Sequence, residues 1–464
     1  MSQNSQSGNS PEQKNSLLTQ PINKLFMQMA MPMVIGMIIN GLYNLVDAFF
    51  VSRFIGSSAM AAVSIVFPLQ MIIIALATTI SNGASILVSQ YLGANRLVKV
   101  SCVIVAAFRL IAVFSVFIAI MPIVFNQHLL RILNVPSALQ TTVNDYFMPL
   151  ALGSILIFIL SLLTDLLRAQ GRMNALFVGV LVSAIANVIL DWLFIVVFNW
   201  GVSGAAVATL SGQFIGCIIG VFYFTQQMSL RKILTQSGLF DMEIVRKIIT
   251  LGIPVLLQYV GAALIIGLVN GLIAASIDDS SAQWLSAYGL IGRFNIFIIL
   301  PLIAMTNASQ TIISFNYGGG NNERVKQALI HGIKANIKYL SIMASMLLII
   351  PELLLSGFTT DALVIETGAK IARMMFILLP LAGISSITIA YFQGVGRAKQ
   401  AMMLTMAKVY ILIVPLLLTI NYTLGYTKLW YAFPVADIAT VALASYLFWQ
   451  LRKNEVKLTV QGEC

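Results

Sequence analysis

The sequence predicts an all-α membrane protein with twelve transmembrane helices in two pseudosymmetric six-helix lobes. Its 464 residues are 59% hydrophobic and only 9% charged, and a soluble chain of that size could not cover so apolar an interior with polar surface. The apolar residues gather into twelve stretches, each long enough at about 20 residues to cross a bilayer. Those twelve read as six and six, because landmarks recur in the same order in the two halves. Leu25–Val34 matches Ile248–Leu257 around Pro32 and Pro254. Gln90–Asn95 (QYLGAN) matches Asn316–Asn321 (NYGGGN), Arg168–Arg172 (RAQGR) matches Gln393–Arg397 (QGVGR), and Gly204–Thr209 matches Ala432–Asp437. The offsets run from 222 to 228 residues, so small loop insertions account for their spread. An apolar chain duplicated in this way is the pattern of a two-lobed carrier with a pathway between its lobes.

In the first half the spans fall near 24–54, 59–88, 98–125, 141–167, 173–198 and 202–226. In the second they fall near 243–276, 284–314, 328–351, 364–392, 400–422 and 428–450. The domain expectations follow: a disordered tail over 1–20, a first lobe over 21–226, a polar linker over 227–242, a second lobe over 243–450 and a tail over 451–464. An even number of spans puts both termini on one side. Arg96, Lys99, Arg168, Arg172, Arg231, Lys232, Arg324, Lys326, Arg397 and Lys399 all fall in even-numbered loops, whereas an odd loop carries Asp278 and Asp279. The excess of basic residues on one face places both termini in the cytoplasm.

That distribution also explains the net charge of +11 as topology, so no nucleic-acid partner is expected. Residues 1–20 are rich in Ser, Asn and Gln and hold no apolar h-region, which is unlike a cleaved signal. Cys102, Cys217 and Cys464 lack metal-ligand or redox spacing, and two histidines give no zinc site. No GxxxxGK[ST] motif is present, so the chain by itself does not hydrolyse ATP to drive transport and no cofactor is expected. Gly318–Gly320 is read as a helix ending rather than a phosphate cradle, because its repeat partner is Leu92–Ala94.

An ionisable group in the hydrocarbon costs several kcal/mol unless it is paired, wetted or neutralised. The few that remain are therefore the functional shortlist: Asp47 in span 1, Asp165 in span 4, Asp191 in span 5, Arg293 in span 8, Lys408 in span 11 and Asp437 in span 12. Counting from the outer helix ends at about 1.5 Å per residue, Asp47, Asp191 and Thr209 each lie roughly 12–14 Å deep. Tyr43 and Asn187 lie one turn from Asp47 and Asp191 on the same helix faces. Tyr43, Asp47, Asn187, Asp191 and Thr209 are thus expected to share one polar pocket. Two carboxylates in a low dielectric titrate in coupled steps, as a proton carrier requires. The same oxygens at Asp47, Asn187, Asp191 and Thr209 would also suit a partly hydrated Na+. Asp165, six residues before Gly171, is expected near the cytoplasmic interface. Arg293 and Asp437 sit at similar depth and are expected to pair, while Lys408 is expected to snorkel to the cytoplasmic face. Pro32, kept as Pro254 in the repeat, marks either a shared structural kink or a hinge on the helix that carries Asp47.

These residues resemble the multidrug and toxic compound extrusion (MATE) transporters, and within them the bacterial DinF-like branch. The resemblance is carried by Pro32 with Tyr43-Asn44-Leu45-Val46-Asp47, by Arg168-Ala169-Gln170-Gly171, by Asn187-Val188-Ile189-Leu190-Asp191, and by Gly204–Thr209; it spans essentially the whole chain. It implies two six-helix lobes, a V-shaped outward-open state, location in the bacterial cytoplasmic membrane, and export of small amphipathic, often cationic drugs against inward H+ or Na+ by a monomer surrounded by lipid. It makes Asp47 and Asp191 the cation-coupling carboxylates, Tyr43, Asn187 and Thr209 their hydrogen-bond network, and Pro32 the hinge. Thr164 stands where many relatives have Asn, and Gln258, Gly261, Ala262, Ala382 and Ser385 stand where other branches carry acids in the second lobe. Both departures favour H+ and a first-lobe site. A lipid or polysaccharide flippase of the same superfamily is the alternative, and it would be expected to present a cationic groove.

Overall fold

The structure is a computed structural model that describes residues 16–226, 241–276 and 280–461. The expected linker, except for its last two residues, and the Asp278–Asp279 loop tip lie outside the described residues. The described chain is helical from end to end. In the first half α1 (Ile22–Phe50) runs into a π-helical stretch (Val51–Ile55), followed by α2 (Ser57–Gly93), α3 (Leu97–Ile132), α4 (Gln140–Leu152), α5 (Ser154–Ala169), α6 (Met173–Asp191) with a second π-helical stretch (Trp192–Val197), and α7 (Gly201–Thr225). The second half holds α8 (Met242–Ala274), α9 (Ser281–Gly318), α10 (Asn322–Ile349), a short α11 (Pro351–Ser356), α12 (Ala362–Met375), α13 (Leu379–Gly394), and α14 (Ala398–Met406). A third π-helical stretch (Ala407–Ile413) then leads to α15 (Val414–Leu424) and α16 (Ala432–Gln461).

Ten of these helical runs are long and apolar enough to cross a membrane, and two bent pairs raise the number to twelve. The bent pairs are where the structure departs from twelve uninterrupted spans. Helices α4 and α5 meet at 48°, and α12 and α13 at 52°, at equivalent places in the repeat. At the first break Gly153 stands where a Cβ would lie 2.5 Å from Leu210 Cδ1, so a larger residue there would have to displace the Leu210 side chain of α7. At the second, Leu378 leaves helical geometry at φ −114° and ψ 21°, and Pro380 stands in the first turn of α13, where its missing N–H costs no intrahelical bond. The outward faces stay apolar: Val113, Phe117, Ile123 and Val124 on α3 are all more than 60% exposed, as lipid contact requires.

By compactness the chain forms two units, and they do not coincide with the two repeats. One comprises residues up to Tyr259 together with Thr311–Lys326; the other comprises Val260–Gln310 and the rest from Gln327. The first unit captures one end of α8 and of α9 because glycines let backbones touch. A Cβ on Gly83 of α2 would lie 2.0 Å from the Ile248 carbonyl oxygen, and one on Gly252 of α8 would lie 1.9 Å from that of Thr79. Likewise a Cβ on Gly93 would run into the Phe315 carbonyl oxygen, and one on Gly318 into that of Gln90. Small residues at crossings of this kind replace the hydrophobic drive that lipid cannot supply, through dispersion and Cα–H···O contacts. The glycine run at Gly318–Gly320 therefore does two things. Gly320, at φ 75°, ends the helix as its sequence indicates, and Gly318 makes the crossing.

Candidate functional site

The buried acids of the first half are placed by how α1, α6 and α7 pack. On α6 and α7 the contacts are close: the Ser183 hydroxyl donates to the Gly212 carbonyl at 2.8 Å, a Cβ on Gly212 would lie 3.0 Å from Asn187 Cβ, and Gly204 packs on the Phe194 backbone. Helices in that register carry Asp191 to the level of Val207 and Ala208, next to Thr209. Helix α1 lies along α6 with Gly36 against Val180 and Phe177, and counting eleven residues along each helix brings Asp47 to the level of Asp191. The two carboxylates are near enough to interact electrostatically, and Tyr43 is within range of both.

Burial makes this cluster expensive. Asp191 is fully buried and Asn187 is 3% exposed. Both carboxylate oxygens of Asp191, both amide atoms of Asn187 and one oxygen of Asp47 have no hydrogen-bond partner among the described residues. Buried polar atoms are paired in the great majority of cases, and each orphan costs about 1–3 kcal/mol. A group that exists only for packing does not collect such orphans on two adjacent helices. The backbone is also irregular here: a π-helical stretch follows Asp191 directly and another begins four residues after Asp47, and such wide turns cluster at functional sites.

Tyr146 on α4 joins the cluster without having been expected there. It is 3% exposed and lies within electrostatic range of Asp47, Asp191 and Tyr43. The one sequence signal was a tyrosine beside Asp145 in the outer half of a span, and apolar packing explains tyrosines there equally well. Thr209 is half-buried at the right level. Thr164 donates its hydroxyl to Leu160 O of its own helix at 2.7 Å, leaving only acceptor lone pairs.

The remaining charges resolve differently. Asp165 accepts from Ser81 at 2.7 Å and pairs with Arg168 at 2.9 Å. Arg168 is 2% exposed and also donates to Thr311 Oγ1 at 3.3 Å, so this acid is fully engaged in joining α5 to α2 and α9. The expected Arg293–Asp437 pair is not formed. Asp437 instead meets Lys408, with Nζ–Oδ1 at 2.7 Å, a charge contact rather than an aligned hydrogen bond. The π-helical stretch of residues 407–413 carries Lys408, and Arg293 is exposed on α9. Lys408 therefore does not snorkel away; it neutralises the one aspartate in that membrane segment. Pro32 lies inside α1, which continues through it as one helix.

A duplicated bundle of up to twelve apolar spans with buried acids has the architecture of a polytopic membrane transporter. The chain belongs to the MatE family, whose model matches residues 32–193 and again 253–419, once per repeat. Among curated proteins it is similar to an FAD transporter of Shewanella oneidensis, at 24% identity over 96% of this chain and 98% of the relative. It is also similar to the multidrug export protein MepA of Staphylococcus haemolyticus, at 23% identity over 93% and 94%. Among solved structures it resembles an outward-facing multidrug resistance MATE transporter with a TM-score of 0.85, 23% identity, and coverage of 95% of this chain and 98% of that one.

Proposed function

We propose that the protein is a secondary multidrug exporter of the bacterial cytoplasmic membrane that exchanges amphipathic, often cationic drugs for protons. The observation that carries this reading is the pair of Asp191, fully buried, and Asp47, half-buried, at one level with unpartnered oxygens beside Asn187. A buried carboxylate without a partner is the group that gains most from binding a proton or a cation. Na+ would use the same oxygens of Asp47, Asn187, Asp191 and Thr209, but Thr164, whose hydroxyl is turned to its own helix, and the acid-poor second lobe favour the proton. The name of the MepA relative supports a drug cargo, and the acidic interior of the first half disfavours the phosphate-bearing substrates of a flippase. The basic ends of α5, α10 and α13 face the cytoplasm in this reading, with both termini on that side.

Everted vesicles under imposed gradients test it. A cationic dye should move in response to a pH gradient alone, in Na+-free buffer. Transport that stops without Na+ and returns with Na+ alone would replace the proton. If cationic dyes do not move and the flavin dinucleotide does, the cargo assignment is wrong.

Pro32 supplies the mechanical step. Proton binding removes buried charge at Asp47, α1 repacks, and the missing backbone hydrogen bond at Pro32 makes that position the weakest point. Proton entry and drug binding then exclude one another, which is the coupling. Pro32→Ala should slow dye transport by about tenfold, or 1.4 kcal/mol, with little change in melting temperature. Full activity of Pro32→Ala would leave a relay between the carboxylates, without a bend, as the better account.

A further inference from the structure

The first described residues belong neither to a membrane span nor to the acidic cluster, yet they pack against both repeats and are hydrogen-bonded to the second. Residues 16–19 form a helical turn, within the segment expected as tail, and Leu17 is 3% exposed. Leu17 Cδ1 would lie 3.2 Å from a Cβ placed on Gly171, the turn between α5 and α6 at φ 74°. Leu18 Cδ2 would lie 3.1 Å from a Cβ on Gly319, just beyond α9. Each leucine thus sits on a glycine that leaves room for it, one in the first repeat and one in the second. The turn's carbonyls, which a helix end leaves without intrahelical donors, are taken by second-repeat side chains. Asn316 Nδ2 donates to Leu17 O at 3.3 Å, and Arg324 Nη2 donates to Leu17 O at 3.3 Å and to Gln20 O at 2.8 Å. Arg324 Nε also donates to Asn316 Oδ1 at 2.9 Å, which fixes the pair as one donor set.

We propose that residues 16–20 are a clip that holds the Gly171 turn of the first repeat to the Gly319 turn of the second, and that the transport cycle must release it. The argument rests on the transporter reading, since alternating exposure is what requires this end to open. It also explains how the release is timed. Pro21 caps α1 directly after the clip, so the helix that carries Asp47 and Pro32 pulls on the clip when it moves. The clip is joined to the first repeat by the chain itself and by Leu17, and to the second by Leu18, Asn316 and Arg324, so displacement of α1 has to break contacts to one side. A turn that merely finishes the packing of α1 would not need donors from α9 and α10.

Two measurements in the full chain test the clip. In a variant with Cys102, Cys217 and Cys464 replaced by Ser, Leu18→Cys and Gly319→Cys can be joined by oxidation. The joined protein should lose at least tenfold in dye transport and recover on reduction; transport at the reduced rate while joined overturns the proposal. The second measurement needs no cargo, so it stands even if the substrate or the ion proves different. Ser89→Cys places a thiol at a buried position of α2, beside the Ala169 carbonyl. Its labelling by an impermeant maleimide, applied from the face that carries the termini, should rise at least fivefold when Leu17→Ser and Leu18→Ser are added. Arg324→Gln should raise it in the same direction. Labelling unaffected by either change would show the clip to be packing alone.

Discussion

Asp191→Asn and Asp47→Asn are each expected to abolish drug export while leaving the protein folded, inserted and no less stable. The carboxylate of Asp191 is fully buried with two unpartnered oxygens. An amide of the same shape removes the charge, opens no cavity and lowers the desolvation cost. A residue kept for packing would show the opposite pattern, with activity retained and stability reduced. Asp165→Asn supplies the contrast in the same protein. It breaks the pair with Arg168, a guanidinium 2% exposed, and removal of one partner from a buried pair costs on the order of 3 kcal/mol. The expected result is therefore a fall of at least hundredfold in export for Asp47→Asn and Asp191→Asn with an unchanged or higher melting temperature, and a clear drop in melting temperature for Asp165→Asn. Drug resistance near wild type in either of the first two, at equal expression, would remove them from the coupling site.

The level shared by Asp47 and Asp191 was legible in the sequence because both helices run the same way from the same side, so counting residues from their ends measures depth directly. The duplicated spans were legible for the same reason, since length and apolarity are one-dimensional properties. Which way a side chain faces around its helix is not. Arg293 and Asp437 count to a similar depth along the sequence, yet Arg293 is exposed and Asp437 meets Lys408, near the start of a π-helical stretch over 407–413. Tyr146 was missed on the same ground, since depth along α4 does not tell which neighbours its buried side chain faces. The bends themselves had their signals in Gly153 and Pro380, which a span drawn by hydropathy passes over. The clip was hidden most thoroughly, since its leucines lie in a polar stretch and pack on glycines about 150 and 300 residues away.

Glycine-to-alanine changes along α8 and α9 are expected to divide sharply by position, although the chemistry of the substitution is the same. On α8, a Cβ at Gly252 would lie 1.9 Å from the Thr79 carbonyl oxygen, whereas at Gly267 and Gly271 it would meet nothing within 4 Å. On α9, a Cβ at Gly318 would run into the Gln90 carbonyl oxygen, while one at Gly289 or Gly292 would meet nothing within 4 Å. At the open sites alanine adds helix propensity worth up to about 1 kcal/mol, so Gly271→Ala and Gly292→Ala should be neutral or slightly stabilising. At the crossings the obstacle is backbone, which cannot rotate away as a side chain can, so α2 has to part from α8 or α9 by more than 1 Å on the distances above. Gly252→Ala and Gly318→Ala should then cost about 2–3 kcal/mol in thermal stability, the range typical of overpacking, and lower export at least tenfold. Gly83→Ala combined with Gly252→Ala should cost less than the sum of the two, because each opens the same contact. Equal behaviour of Gly252→Ala and Gly271→Ala would mean that the close crossing of α2 and α8 is not needed for the fold or for the cycle. A graded loss confined to the four crossing glycines would place the joint between the repeats in backbone contact, with Arg168 and residues 16–20 built around it.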